Sequence, residues 1–211
     1  MVHGTPYTGN TRRKRKSKTG IRISQAKFSD LFFIQMNRED FDILDLTPET
    51  DLTAFKCTES DLNEFLIEES KDYQAELLAR TYLVVHRASG NIAAYFSLLN
   101  DVIRLDETEK NIRNRINRNI PFSKQRKHYP AVKIGRLAVS EPFAQQGIGR
   151  YILDNVKFIF THGNRTGCRF LTVDALTTAT GFYEHNSFRF FTEQDKEDDT
   201  RLMFYDLKDF T

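Results

Sequence analysis

The chain has 211 residues, with 31 Lys plus Arg against 29 Asp plus Glu, two cysteines and 18 phenylalanines. That length suits one domain, the cysteine count excludes a disulfide scaffold, and no C-x-x-C pair suggests structural zinc, so no metal is expected. No apolar run approaches the ~18–20 residues that span a bilayer, and none follows the early basic residues as in a secretory signal, so a cytoplasmic protein with no membrane partner is expected.

The net charge of +2 is unevenly distributed: residues 1–22 hold seven basic side chains (Arg12, Arg13, Lys14, Arg15, Lys16, Lys18 and Arg22) and no acidic one. The other 189 residues carry 24 basic and 29 acidic groups, a net of −5. The segment 1–22 has too little apolar surface to offset the entropy of ordering and reads as a flexible basic arm, either a solvated tail or a phosphate contact. Residues 23–211 read as a single domain.

Within it, Thr58-Glu59-Ser60-Asp61 fits a capping pattern, and Leu62, Phe65, Leu66, Tyr73, Leu77 and Leu78 form a helical apolar stripe. Strands over 81–86 and 92–98 flank Ala88-Ser89-Gly90-Asn91 and read as a hairpin. Residues 101–130 form a basic insertion, with a polar helix over 107–118 and a loop broken at Pro121 and Pro130. Such a run either faces water or meets an anionic ligand. A buried strand over 131–139 follows, then an amphipathic helix from Gly147 with Ile148, Tyr151, Ile152, Val156, Ile159 and Phe160 on one face. A strand over 168–173, a short helix over 177–185 and a last strand over 201–207 complete the chain. Mixed strands and helices argue for an α/β sheet with helices on its faces.

The segment from Ile134 to Asp154 carries the chemistry. A strand ends near Val139, a polar turn with Ala144, Gln145 and Gln146 follows, and Gly147-Ile148-Gly149 opens the helix. The first helical amides have no intrahelical acceptor, the helix dipole adds partial positive charge, and glycine permits close approach, so the turn is a diphosphate cradle. Arg150 adds a charge-assisted contact. A Walker loop is excluded because no Lys-Ser or Lys-Thr follows these glycines, and a Rossmann fingerprint needs a third glycine near the start of the fold.

The run Arg136-Leu137-Ala138-Val139 followed by Gly147-Ile148-Gly149 resembles motif A of the GNAT-type N-acetyltransferases, which bind acetyl-CoA. Leu171-Thr-Val-Asp-Ala175 and Gly181-Phe-Tyr-Glu-His-Asn-Ser-Phe188 are similar to the family's later strand, helix and F-Y-x-x-x-G-F ending. Phe55-Lys-Cys57, Asp61-Leu-Asn-Glu-Phe-Leu66 and Tyr95-Phe-Ser-Leu98 resemble its subgroup of toxin acetyltransferases that modify aminoacyl-tRNA. Ala144 and Ser187 depart from the family pattern, which has Gln or Arg and Gly there.

The resemblance implies a mostly antiparallel sheet with a splayed central strand at the acetyl-CoA site. It implies that Leu137, Ala138 and Val139 pair with pantetheine through their backbones and that Gln145, Gln146, Gly147, Ile148, Gly149 and Arg150 hold the diphosphate. Tyr183 is the implied catalytic acid, its phenol protonating the departing thiolate. No general base stands out among Asp101, Glu141 and His185. Acetyl-CoA is then the co-substrate, and the acceptor is a primary amine: an aminoacyl-tRNA, a small molecule or a protein N-terminus. An antitoxin-type partner and a second copy of the chain are the protein partners implied. The alternative of another class is a nucleic-acid-binding module with a degenerate acyl-CoA site.

Overall fold

The computed structural model describes residues 39–105, 110–118, 120–164 and 166–210. The basic arm expected over 1–22 lies outside them. Among the described residues seven strands form one sheet: β1 (Phe41–Asp45), β2 (Arg80–His86), β3 (Ile92–Arg104), β4 (His128–Val139), β5 (Phe170–Leu176), β6 (Arg189–Phe190) and β7 (Thr200–Asp206). Their order is β1-β2-β3-β4-β5-β7-β6, and only the β4–β5 pair is parallel. The expected mixed, mostly antiparallel sheet flanked by helices is therefore the one observed.

A first helical segment, α1 (Ser60–Glu64), runs through a π-turn (Phe65–Glu69) into α2 (Ser70–Ala75). The helix start lies where the sequence indicates, but no side chain caps it. Instead Asn63 turns back: its Oδ1 accepts from the Cys57 amide at 2.8 Å and its Nδ2 donates to the Cys57 carbonyl at 2.9 Å. The apolar stripe stops sooner than its periodicity suggests. The Leu78 amide donates to Tyr73 O and the Leu77 amide to Gln74 O, a Schellman closure that puts Leu77 at φ 59° and leaves it 90% exposed.

The basic insertion is more structured than expected. β3 and β4 stay paired as far as Arg104 opposite His128, so Pro130 lies inside β4, opposite Val102, rather than in a loop. The parallel neighbour of β4 begins only at Ala131, so the missing proline N–H interrupts no ladder on that side. The polar helix is α3 (Lys110–Asn117). It is tied down by Ile116, which is buried with Ile103, Leu105, Phe170 and Phe204.

Between β4 and β5 the amphipathic helix α4 (Ile148–His162) crosses one face, burying Ile148, Ile152, Leu153, Val156 and Ile159 against the sheet. α5 (Thr180–His185) follows β5 and packs Tyr183 between Phe182 and Phe188, at centroid distances of 5.0 and 5.4 Å. Lys157 of α4 is 4% exposed and donates to the Asn186 carbonyl at 2.9 Å, fastening the end of α5 to α4. Burial pushes the ammonium pKa below its ordinary value, with Asp154 opposing the shift.

α5 also ends in a Schellman closure: Phe188 N donates to Tyr183 O and Ser187 N to Glu184 O. Ser187 takes φ 69° there, the conformation that a glycine adopts without strain. Ser187→Gly should therefore raise stability by about 0.5–1 kcal/mol, read as a shift in the denaturant midpoint.

Candidate active site

β4 pairs with β5 only through Ala131, Val132 and Lys133, opposite Phe170, Leu171 and Thr172. Beyond this point β5 continues along β7 to Leu176, while β4 continues along β3 to Val139. The sheet is thus forked at its centre. A bulge accompanies the fork: Ser97 faces Arg136 and Leu98 faces Ile134, leaving Gly135 as the extra residue on β4. A β-carbon at Gly135 would stand 2.6 Å from Leu99 Cδ2 and 3.3 Å from Ser97 Oγ, so glycine is what the bulge has room for.

The fork opens into a cavity of about 1010 Å³. β4 contributes Lys133 through Val139, β5 contributes Val173 through Leu176, and Tyr183 also lines it. Its far wall is built by the α1–π-turn segment, including Asp61, Leu62 and Phe65. Lys133 and Asp174 form an ion pair at the apex of the fork, and Thr172 donates to the Asp101 carboxylate beside it.

Leu137, Ala138 and Val139 line this cavity together with Tyr183. Tyr183 is 6% exposed, and among the described residues its hydroxyl has no hydrogen-bond partner. Burial alone pushes its phenol pKa above the ordinary value of 10.0, so the group stays protonated and available as a donor.

The polar turn follows Val139 at the end of β4. A 3₁₀ turn (Glu141–Phe143) is held by donation from Glu141 N to Lys56 O and from Ser140 N to Ala93 O. The chain then takes left-handed conformations at Gln145 (φ 59°) and Gly147 (φ 76°) on either side of Gln146. Gln145, Gln146, Gly147 and Arg150 are exposed, while Ile148 and Gly149 are buried. The two glycines therefore do different work. Gly147 supplies the left-handed N-cap; a β-carbon on Gly149 would meet Phe182 Cζ at 3.0 Å, so Gly149 lets α4 pack against α5. Gln146 Nε2 donates to Pro142 O at 3.1 Å, and Arg150 Nε lies 3.6 Å from Asp154 Oδ2, one helical turn on. The first-turn amides of α4 lack intrahelical acceptors beside these groups.

Asp101, Glu141 and His185 do not line the cavity. Glu141 pairs with Lys56 at 3.6 Å, and the His185 Nδ1 contacts Gly181 O at 2.6 Å. Sequence reasoning passed over Ser97, Gly135 and Lys133. The only signal for Gly135 was a glycine inside an otherwise apolar strand, which marks a bulge. Among the described residues no group of three or more His, Cys, Asp or Glu could hold a metal ion, and no helix is long and apolar enough to cross a membrane.

No protein-family profile matches the chain. Solved structures do. A tyrosine-to-phenylalanine mutant of KacT is 23% identical, with a TM-score of 0.67 over 81% of this chain and 96% of that one. AtaT complexed with acetyl-methionyl-tRNAfMet is 22% identical, with a TM-score of 0.67 over 81% and 97%. A tyrosine-to-phenylalanine mutant of the AtaT toxin, bound to the C-terminus of the antitoxin AtaR and to acetyl-CoA, is 22% identical, with a TM-score of 0.62 over 81% and 95%. These likenesses, together with the mostly antiparallel sheet and its flanking helices, show that the chain has the GNAT fold.

Proposed function

We propose that the protein transfers the acetyl group of acetyl-CoA to a primary amine, the amino group of an aminoacyl-tRNA. The observation that carries this reading is the forked sheet, whose cavity runs along Leu137, Ala138 and Val139 and is lined by Tyr183. Backbone groups of β4 that β5 leaves unpaired suit the pantetheine amides, and the bulge at Gly135 suits the thioester. The neutral amine attacks the thioester carbonyl; a C–N bond forms, the C–S bond breaks, the thiolate takes the Tyr183 proton, and the proton shed by the new amide nitrogen passes through water to restore the phenol. Holding both reactants in the fork supplies much of the acceleration through proximity. The diphosphate lies at the open first turn of α4, with Gly147 and Arg150 beside it. The AtaT complexes with acetyl-CoA and with acetyl-methionyl-tRNAfMet support the same co-substrate and acceptor here. The AtaR complex likewise supports an antitoxin-type partner.

Saturable acetyl-CoA binding by calorimetry, and acetylated product by mass spectrometry after incubation with aminoacyl-tRNA, are the expected results. Absence of acetyl-CoA binding overturns the reading. Two substitutions at Gly147 sharpen the test, because Asn and Asp tolerate φ 76° about equally and differ in charge. Gly147→Asp should weaken acetyl-CoA binding at least about tenfold more than Gly147→Asn, since only the former places a carboxylate against the diphosphate.

A further inference from the structure

Ser97 and Arg136 stand directly opposite each other on β3 and β4, so their side chains leave the sheet on the same face, and both line the cavity. Ser97 is 1% exposed, yet among the described residues its hydroxyl has no hydrogen-bond partner. The Arg136 Nε is buried and also lacks a hydrogen-bond acceptor, with the Asp61 carboxylate 3.7 Å away. The rest of the guanidinium is held: Nη1 donates to Gly135 O at 3.0 Å, and the group lies 5.0 Å from the centroid of Phe65. A buried donor without an acceptor is costly in a folded protein, and the Arg136 Nε, with the unpartnered Ser97 hydroxyl beside it on the cavity wall, indicates a ligand oxygen. Lys133 does not join them, because Asp174 already pairs with it.

The surroundings narrow the ligand further. Glu59 and Asp61 put carboxylates on the same wall, which attract an ammonium. Phe65, Tyr73 and Leu62 give an apolar surface next to them, with Tyr73 packed edge-on against Phe65 at 5.4 Å. An oxygen, an amine and an apolar group within one small head are the features of an α-aminoacyl unit.

We propose that Ser97 and Arg136 receive the carbonyl oxygen of an α-aminoacyl acceptor and are the residues that distinguish it from a plain amine. The proposal rests on the acetyl-transfer reading above and adds how the acceptor is chosen. The ammonium meets the Glu59 and Asp61 rim, where it gives its proton to water before attack, and the apolar side chain lies against Phe65 and Tyr73. The acceptor is thus recognised by its α-amino ester or amide head, whatever polymer carries it.

The test uses a matched pair of acceptors, phenylalaninamide and phenethylamine, which share a side chain and differ in the carbonyl. Comparing each variant with wild type on one acceptor cancels the difference in amine basicity. Ser97→Ala and Arg136→Lys should each lower kcat/KM for phenylalaninamide about tenfold or more, while the loss with phenethylamine stays near threefold or less. Acetyl-CoA affinity and thermal midpoint are measured for each variant as checks on folding. Equal losses on both acceptors, or none on either, overturn the proposal. A wild-type protein that binds acetyl-CoA but acetylates neither probe also overturns it. If acetyl-CoA does not bind at all, the acetyl-transfer reading fails separately. Calorimetric binding of phenylalaninamide to wild type and to Ser97→Ala then decides the subsite alone: weaker binding by the variant supports it, and equal or absent binding removes it.

Discussion

Tyr183→Phe should lower kcat by roughly 100-fold or more, the scale of a general acid, while acetyl-CoA affinity changes by less than about twofold. The substitution removes one oxygen and keeps the ring between Phe182 and Phe188. Among the described residues that oxygen has no partner to lose, so the thermal midpoint should barely move. The hydroxyl is therefore separable from the packing, and the loss of rate reports on chemistry. The pH profile adds an independent reading. Burial raises the phenol pKa above 10.0, so Tyr183 remains an acid throughout the neutral and mildly alkaline range. The acceptor amine, in contrast, must lose a proton before attack. The wild-type rate should thus rise with pH and show no descending limb below about pH 10. The same desolvation makes the departing thiolate a stronger base, which compensates for the weak acidity of a buried phenol. Unchanged turnover in Tyr183→Phe, or a descending limb well below pH 10 that this variant abolishes, removes Tyr183 from the mechanism.

Gly135→Val should be nearly as damaging for a different reason. The new side chain has to enter space held by Leu99 and Ser97, at 2.6 and 3.3 Å from the β-carbon position. The Leu99 end can turn away, but Leu99 itself lines the cavity, so relief of the clash fills the fork. The expected result is a fall in kcat/KM of about 30-fold or more, with a stability loss of about 1–3 kcal/mol from overpacking. Gly135→Ala should fall between the two. Steady-state kinetics beside denaturant titration separates the effects. A Gly135→Val protein retaining activity within roughly threefold of wild type shows that the bulge does not shape the reacting site.

The parts of the fold legible in the sequence were those whose periodicity is dictated by one buried face. α4 repeats its apolar residues with the helical period because a single side lies on the sheet, and the strand over 131–139 reads as apolar because Ala131, Val132, Ile134 and Ala138 are buried. β1 and β6 were missed: β1 is a five-residue edge strand and β6 has two residues, too few to display alternation. Leu77 and Leu78 continued the helical period by coincidence, beyond a Schellman turn that periodicity cannot detect. In the candidate site, Tyr183 and Leu137 through Val139 line one cavity. The distinct duties of Gly147 and Gly149 were not legible, because one answers to a backbone angle and the other to a ring on a different helix. Ser97 was invisible for a similar reason: a serine within an apolar strand gains meaning only when its cross-strand neighbour is known.

The two halves of the sheet, β1 to β4 and β5 to β6 with β7, meet through only three opposed residue pairs along the β4–β5 seam. Each half is otherwise laced by its own antiparallel ladders. Mechanically this is a sheet with more than half of its seam left unstitched. A molecule lying in the opening and bonding to both edges supplies the missing stitches, so occupancy and cohesion of the domain are one linked equilibrium. At a hundred times its dissociation constant such a ligand adds about 2.7 kcal/mol to the folded state.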